Sequence, residues 1–444
     1  MMAPREAETG QATADGSGAG LFSETLKGVF MSRVLIIGAG AAGLMAAVHA
    51  ASAGARTTVL ERNEKPGKKI YLTGKGRCNV TNDCAPDEFM REVPRNPRFL
   101  YSALRQFSPF DVLSLLSSLG CDTKVERGRR AYPVSDHASD VTKALEKGLR
   151  QSGVSIALHT EAKRIAVENG AVSGVETLDG RLLPAEKVIV CTGGLSYPST
   201  GSTGDGLRWA GEMGVPVTQT RPSLVGLKTK ETWPMELQGL TLKNVCLTGR
   251  SCGKIIYSEW GEMLFTHFGV SGPLVIELSC HLPESGKGEA LLNLKPGLTR
   301  EQLDQRLTRE LAAAGKKQLS TVMQSLLPQR FASLFPALCG LDGATPCSQV
   351  SGKMRGVLAE KLQALPLTIV GTRPIEEAIV TRGGVDVKGV SPKTMESKNV
   401  SGLYFAGETL DVDAHTGGYN LQIAWSTGAL AGKSAALALR EENP

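Results

Sequence analysis

The sequence of 444 residues lacks several features that define common protein classes. None of its nine cysteines belongs to a C-x-x-C pair, which excludes a dithiol redox centre or a zinc ribbon of that type. Their odd number and irregular spacing favour reduced thiols and a cytoplasmic protein. No RNA-recognition motif such as an RRM, a KH domain or a zinc knuckle is visible either. The net charge of +6 permits an anionic partner without requiring one.

Leader and membrane signals are also missing. The first 31 residues have no apolar core of a secretory signal, and we expect a flexible tail there, with Met31 as an alternative start. The stretch from Val34 to Ala55 is apolar and long enough for a membrane span. Glycines within it and polar residues at both ends favour a buried strand and helix instead. The sequence therefore predicts neither membrane association nor a metal site.

A complete dinucleotide-binding fingerprint follows the tail. The apolar run 33–37 predicts a buried parallel strand, Gly38, Gly40 and Gly43 form a G-x-G-x-x-G turn, and residues 44–53 predict a helix. The next strand, 57–60, ends at Glu61, which can accept hydrogen bonds from ribose hydroxyls. The helix N-terminus offers free N–H groups to a pyrophosphate. These residues alone leave FAD and NAD equally open.

The C-terminal region favours the flavin. Residues 400–408 predict a strand that ends in a glycine turn at Gly407 and in the carboxylate of Glu408. Residues 416–420 (Thr-Gly-Gly-Tyr-Asn) then precede a helical pattern over 421–439. A helix that begins here can stabilise negative charge on a reduced isoalloxazine ring. Nicotinamide dehydrogenases do not need such a unit.

Four stretches resemble one known family. They are residues 69–82 (KIYLTGKGRCNVTN), 191–206 (CTGGLSYPSTGSTGDG), 380–385 (VTRGGV), and the segment from 394–398 (TMESK) to 417–420 (GGYN). Together these stretches resemble the YhiN/BaiN-like, or aminoacetone-oxidase-like, bacterial flavoproteins from about Ser32 to the end of the chain. The resemblance implies noncovalent FAD in an α/β fold whose discontinuous Rossmann-like domain is interrupted by a small β-barrel and a helical insert.

The sequence agrees with that plan. Residues 215–298 alternate apolar and polar positions between glycine turns, as a barrel does, and residues 299–365 change to helical spacing. We therefore expect a tail over 1–31, an FAD-binding domain over 32–214 and 366–444, a barrel over 215–298 and a helical insert over 299–365.

The predicted cofactor-binding residues come from both halves of the FAD-binding domain. They are Gly38, Gly40, Gly43, Glu61, Arg62, Lys69, Gly76, Arg77, Cys78, Asn79, Thr192, Gly193, Gly407, Glu408, Gly417, Gly418, Tyr419, Asn420 and Leu421. The loop around residues 73–79 follows the second strand, so it is expected beside the flavin. There Arg77 could hold an anionic substrate or the pyrophosphate.

Two residues are candidates for catalysis. Asn79 could hydrogen-bond flavin N5 or O4, and Tyr419 could donate a proton to a bound substrate. Cys78 has no partner cysteine in the sequence, so a packing or polar-contact role is favoured over redox work. His267 and His415 are the histidines nearest to plausible sites, and neither is assigned a role.

The resemblance implies an FAD-dependent oxidoreductase in which reduced flavin N5 gives a hydride to an activated C=C bond. The candidate substrates are a ribosomal RNA uridine, reduced to dihydrouridine, and an unsaturated small acid. Only one complete fingerprint is present, so no second domain for a nicotinamide cofactor is predicted. NADH or NADPH is a candidate transient electron donor, which would visit the face of the flavin that the substrate later occupies. An amine or amino-ketone oxidase that uses oxygen stays open, as does a flavin-containing RNA-binding factor without turnover. The oligomeric state is not predicted.

Overall fold

A computed structural model describes residues 32–442. Within that range none of the helices combines the length and the apolar character that crossing a membrane requires.

The strands of the described range are β1 (Ser32–Ile37), β2 (Thr57–Leu60), β3 (Thr81–Asn82), β4 (Thr123–Glu126), β5 (Arg130–Pro133), β6 (Ser155–Ala157), β7 (Ala162–Glu168), β8 (Ala171–Thr177), β9 (Leu182–Val190), β10 (Arg221–Ser223), β11 (Leu227–Thr229), β12 (Thr241–Ser251), β13 (Lys254–Thr266), β14 (Gly269–Ser271), β15 (Gly288–Asn293), β16 (Leu365–Thr372), β17 (Val380–Arg382) and β18 (Leu403–Phe405). The α-helices are α1 (Ala41–Ser52), α2 (Pro86–Arg91), α3 (Tyr101–Gln106), α4 (Pro109–Ser118), α5 (Ala138–Gln151), α6 (Asp205–Glu212), α7 (Trp233–Glu236), α8 (Pro273–His281), α9 (Arg300–Ala314), α10 (Leu319–Met323), α11 (Gln329–Leu338), α12 (Gly352–Gln363) and α13 (Tyr419–Glu442).

The first domain is built on a sheet with strand order β6-β2-β1-β9-β8-β7, and β18 pairs with β9 on a branch. The β6, β2, β1, β9 and β18 pairings are parallel, whereas β7, β8 and β9 pair antiparallel. Val34, Leu35 and Ile36 in β1 are almost fully buried, as expected of a parallel strand covered on both faces. This is the predicted Rossmann-like sheet, completed by a strand from near the C-terminus.

Helices α1 and α13 pack closely because small residues face each other along their contact. A Cβ added at Gly428 would lie 2.3 Å from the carbonyl oxygen of Ala42, and one at Gly432 would lie 2.1 Å from that of Ala46. Neither position has room for a side chain. This contact joins the two sequence-distant halves of the domain, and it brings the N-termini of both helices to the same end of the sheet.

The insert contains a closed barrel in the order β11-β14-β13-β12-β15-β16. Its core continues into the helical part: Trp233 stacks on Phe331 of α11 with ring centroids 5.8 Å apart, and Phe265 packs edge-on against Phe331 at 5.7 Å. Barrel and helices therefore share one hydrophobic core.

The barrel includes a strand that we had assigned to the FAD-binding domain. β16 pairs with β15 and with β11, so the predicted boundary between 365 and 366 falls inside the barrel and needs correction. Leu365, Leu367 and Ile369 alternate into the barrel core. An apolar strand does not reveal which sheet it joins, because that depends on pairing with distant residues. The chain returns through β17, which pairs with β10.

Candidate functional site

A cleft opens at the carboxyl ends of β1, β2 and β9, with about 1300 Å³ of empty space that is partly open to solvent. One wall contains the turn before α1, and another contains the start of α13 through Asn420 and Leu421. Each helix start directs free backbone N–H groups and the positive end of a dipole to this side of the sheet.

The three glycines of the fingerprint have different structural roles. Gly38 has a φ of +98°, and a Cβ there would lie 2.6 Å from the carbonyl oxygen of Cys191. A Cβ at Gly43 would lie 1.8 Å from the carbonyl oxygen of Gly38, so this glycine serves packing and does not line the cleft. Gly40 lines the cleft, and a Cβ there would meet no atom within 4 Å. The open face of Gly40 therefore leaves room for a ligand to approach the backbone.

Glu61 is a buried carboxylate at the end of β2. Its Oε2 accepts the Ala39 N–H at 2.8 Å, and its Oε1 accepts the backbone N–H and the side-chain amide of Asn63 at 2.8 and 2.6 Å. These donors fix the carboxylate in the cleft wall next to the glycine turn. A carboxylate has about four lone-pair sites, so capacity remains for ligand hydroxyls.

Lys69 and Glu408 form a polar network in the cleft wall. Lys69 Nζ donates to Glu408 Oε2 at 2.5 Å and to Ser196 Oγ at 2.6 Å. Glu408 Oε1 accepts from Ser196 Oγ at 2.9 Å and from the Thr381 N–H at 2.8 Å. Sequence reasoning missed Ser196 and Thr381. Both lie in stretches that carried the family resemblance, which was the available signal.

Other predicted residues also line the cleft. Thr192 and Gly193 follow β9, and Gly407 follows β18. Arg62 forms an ion pair with Glu161 and donates to Thr203 Oγ1 at 2.6 Å. The cleft thus brings together Gly38, Gly40, Glu61, Arg62, Lys69, Thr192, Gly193, Gly407, Glu408, Asn420 and Leu421.

The loop 76–79 does not line this cleft. Arg77 instead pairs with Glu126 and Asp136, at 2.5 and 2.6 Å, and its guanidinium lies 4.1 Å from the Tyr132 ring centroid. Its guanidinium is paired with protein carboxylates, and its predicted contact to pyrophosphate or substrate stays a prediction.

The two residues that follow Arg77 each have a buried side-chain group. Cys78 is fully buried, and burial raises the pKa of its thiol to about 12. Such a thiol stays protonated and unreactive, as a packing role requires. The Oδ1 of Asn79 is buried and has no hydrogen-bond partner among the described residues.

The turn before α13 is also set back from the cleft. A Cβ at Gly418 would lie 2.4 Å from the carbonyl carbon of Thr81, so Gly418 permits close packing. Tyr419 packs edge-on against Phe89, with centroids 5.2 Å apart, and burial raises the pKa of its phenol. Neither residue nor Gly417 lines the cleft.

Comparisons with known proteins cover nearly the whole described chain. A family model described as "HI0933-like protein Rossmann domain" matches residues 32–434. The chain is 34% identical over 414 residues to a 3-dehydro-bile acid delta(4,6)-reductase of Clostridium scindens, covering 91% of this chain and 99% of that protein. It is 34% identical over 401 residues to a ribosomal RNA dihydrouridine synthase of Haemophilus influenzae, covering 89% and 96%.

Among solved structures, a 3-ketosteroid-delta4-(5alpha)-dehydrogenase from Rhodococcus jostii matches with a TM-score of 0.50 and 14% identity. That match covers 93% of this chain and 99% of the other. A quinol-fumarate reductase matches with a TM-score of 0.52 and 17% identity, over 94% and 72%. At these identities the similarity concerns the fold.

Proposed function

Because the chain belongs to the HI0933-like Rossmann family, we propose that its cleft holds FAD noncovalently and that the protein reduces an activated carbon–carbon double bond. The family and the fold class predicted from the sequence are confirmed. The chain is an oxidoreductase of this flavin-dependent family.

The fit of the cleft to a dinucleotide rests on its two ends. At one end, Gly40 leaves an open approach to the backbone at the start of α1, and the carboxylate of Glu61 is fixed beside it. At the other end, Asn420 and Leu421 in the first turn of α13 line the cleft. A cofactor with a central pyrophosphate and a ring that becomes anionic on reduction suits a cleft with a helix N-terminus at each end. When bound, FAD supplies two-electron hydride chemistry.

The residues of the chain bind and orient the cofactor in this proposal. Glu61 accepts from the adenosine ribose, and the N–H groups before α1 meet the pyrophosphate. Lys69 and Glu408 fix the cleft wall between β17 and α13, because they form hydrogen bonds with Ser196 and with the backbone of Thr381. Asn420 fixes the turn that precedes α13, because its side chain bonds the backbone N–H and carbonyl of Ala414 at 2.9 and 2.7 Å.

The names of the two relatives suggest the reaction class. One is a reductase of an unsaturated bile acid and the other makes dihydrouridine, a product of uridine reduction. Both reactions saturate a double bond conjugated to a carbonyl group. The proposed reaction rests on this shared chemistry. The substrate in this proposal is either an RNA uridine or an unsaturated small acid.

One surface feature favours the RNA. Residues 127–130 carry three exposed arginines in a turn that ends at β5. Asn82 ties this turn to the start of α13, since its Nδ2 donates to the carbonyls of Gly128 and Gly417 at 2.9 and 3.2 Å. One of the arginines, Arg129, is paired with Glu88. An arginine-rich turn tied to the segment before α13 is suited to phosphate contacts.

The test begins with an absorbance spectrum of the purified protein and anaerobic titration with NADH and NADPH. We expect a flavin spectrum that bleaches with a nicotinamide donor and returns when a uridine-containing ribosomal RNA fragment or an unsaturated keto acid is added. Rapid return in air without either acceptor would support the oxidase alternative. RNA affinity without turnover, retained after flavin removal, would support the binding-factor alternative. No flavin after reconstitution with FAD would overturn the proposal.

A further inference from the structure

His415 lies in the turn before α13, next to the cleft but outside its lining. Its backbone is fixed to a cleft residue: Asn420 Nδ2 donates to the carbonyls of Ala414 and His415 at 2.7 and 3.2 Å. The His415 N–H donates to the carbonyl of Glu92 at 3.0 Å. Main-chain and side-chain bonds thus hold this histidine in a defined place beside the start of α13.

The imidazole of His415 is held in one orientation and keeps one nitrogen free. Its Nδ1 lies 3.0 Å from Glu92 Oε2. An ionised carboxylate only accepts, so Nδ1 carries the hydrogen. Nε2 is buried and has no hydrogen-bond partner among the described residues. A carboxylate that fixes the tautomer and leaves Nε2 to exchange a proton is an arrangement suited to general acid catalysis.

The neighbours of His415 come from the barrel insert as well as from the FAD-binding domain. The His281 ring of α8 lies 5.1 Å from the His415 ring, and Tyr257 of β13 lies 5.5 Å from His281. The adjacent Thr416 donates its N–H to Glu277 Oε1 at 2.8 Å. His415 therefore stands where the two domains meet, in the turn that leads into α13. The charged and titratable groups around it are Glu92, Arg95, Tyr257, Glu277, His281 and Asp413.

Two nearby groups, His281 and Tyr419, are less suited than His415 to donate a proton. Burial, with the nearby His415 and Arg95, lowers the pKa of His281 to about 4, so its ring is neutral at physiological pH. Burial raises the pKa of Tyr419, which makes its phenol a weaker acid than usual. Of these groups, only His415 has both a carboxylate partner and a free ring nitrogen.

We propose that His415 donates the proton in the double-bond reduction and that Glu92 is its positioning residue. This inference rests on the proposed function. When bound and reduced, FAD would supply the hydride to one carbon of the double bond, and a nicotinamide donor would reduce the oxidised cofactor again. The other carbon takes the proton from Nε2 of protonated His415, so the C=C bond becomes CH–CH. Water that enters after the product leaves then returns a proton to Nε2, which is buried in this structure.

The kinetic test separates the two half-reactions. FAD-loaded wild type, His415→Gln and Glu92→Gln are reduced anaerobically with dithionite and mixed with cyclohexenone as a simple conjugated acceptor. We expect flavin content to stay unchanged, while reoxidation slows at least about 100-fold in His415→Gln. Added imidazole restores part of the rate in His415→Ala. His267→Gln is the matched control and should reoxidise at the wild-type rate, because the His267 ring packs against Phe268 and is not among the groups around His415.

A second readout is independent of turnover. In wild-type protein with isotope-labelled histidine, ring-nitrogen NMR should show His415 with hydrogen on Nδ1 and a bare Nε2 in its neutral form. Glu92→Gln should shift that tautomer. The inference would be overturned if His415→Gln were reoxidised at the wild-type rate, or if neutral His415 carried its hydrogen on Nε2 and not on Nδ1. Either result would leave the proposed function standing. A wild-type flavin that transfers hydride to none of cyclohexenone, the RNA fragment and the unsaturated keto acid would remove both.

Discussion

Lys69 and Glu408 are 339 residues apart in the sequence, and Lys69 Nζ lies 2.5 Å from Glu408 Oε2 in the cleft wall. Their ion pair crosses between the N-terminal and C-terminal parts of the domain. Glu408 also accepts from Ser196 and from the Thr381 backbone, so three separate stretches of chain meet at this carboxylate. The cleft therefore has this form only when the N-terminal and C-terminal parts of the domain pack together.

Replacement of Glu408 is expected to weaken FAD binding. In Glu408→Ala, Lys69 loses its ion-pair partner and the Thr381 N–H loses its acceptor, which costs about 1–3 kcal/mol, or roughly 5- to 150-fold in Kd. Fluorescence titration of the apoprotein with FAD measures the change. Glu377→Ala is the control, because Glu377 is exposed, pairs with Arg373 and does not line the cleft. An unchanged Kd in Glu408→Ala would show that this network does not shape the cofactor site.

Gly40→Val is expected to yield folded protein that lacks flavin. The backbone of Gly40 has φ −78° and ψ −169°, which valine adopts without strain, and its Cβ would enter empty space. The side chain would therefore occupy ligand space without disturbing packing. We expect FAD affinity to fall at least about tenfold, ~1.4 kcal/mol. Gly371→Val, also at an open glycine but in β16, should keep its flavin. Full flavin occupancy in Gly40→Val would refute the fingerprint assignment.

Gly432→Ala is expected to destabilise the FAD-binding domain. The new Cβ would lie 2.1 Å from the carbonyl oxygen of Ala46, so α1 and α13 must move apart at a cost of about 1–3 kcal/mol. Gly356→Ala is the matched helical control, since a Cβ there meets no atom within 4 Å. It should stabilise α12 by about 0.5–1 kcal/mol. Thermal unfolding of both variants provides the comparison, and a neutral Gly432→Ala would contradict the packing argument.

The sequence predicted the parts of the site that depend on local pattern. Gly38, Gly40 and Glu61 occupy the places that the strand–turn–helix–strand pattern required, because short-range geometry dictates them. Arg77 shows where such reasoning stops. Its partners Glu126 and Asp136 lie 49 and 59 residues further along the chain, and no periodicity indicates ion pairs over that distance.

The fold shows the same division. The alternating strands of the insert predicted a barrel, yet β16 was placed in the wrong domain because its partners are β11 and β15. The contact of Gly428 and Gly432 with α1 was not predicted either. Small residues in a helix indicate that another element packs closely against it, but they do not show which element that is.

Alkylation should separate the buried cysteines from the exposed one. Cys252 lies exposed between β12 and β13, whereas Cys78 and Cys191 are buried and fully protonated at neutral pH because burial raises their pKa values. We expect iodoacetamide at neutral pH to label Cys252 in the folded protein and to spare Cys78 and Cys191. Mass spectrometry of the digest measures this. Labelling in urea should reach all three, and rapid native labelling of Cys78 would reopen a redox role.

Cys78 also predicts how stability depends on pH. Burial raises the pKa of its thiol from 9.0 to about 12. Between these values the unfolded chain has released this proton and the folded chain still binds it, so the unfolded state carries fewer protons. The free energy of unfolding therefore falls as pH rises, by about 1.4 kcal/mol per pH unit for this thiol. The stabilisation is fully present below pH 9 and is lost as pH approaches 12.

Cys78→Ala isolates that contribution, because the variant keeps the other titrating groups and lacks only this thiol. Urea unfolding at a series of pH values from neutral to alkaline should show a shallower decline in the variant than in the wild type. Cys252→Ser is the control, and its decline should follow the wild type because Cys252 is exposed. Equal slopes for Cys78→Ala and wild type would mean that the thiol ionises in the folded protein as readily as in the unfolded chain. The assignment of Cys78 to the buried core would then be wrong.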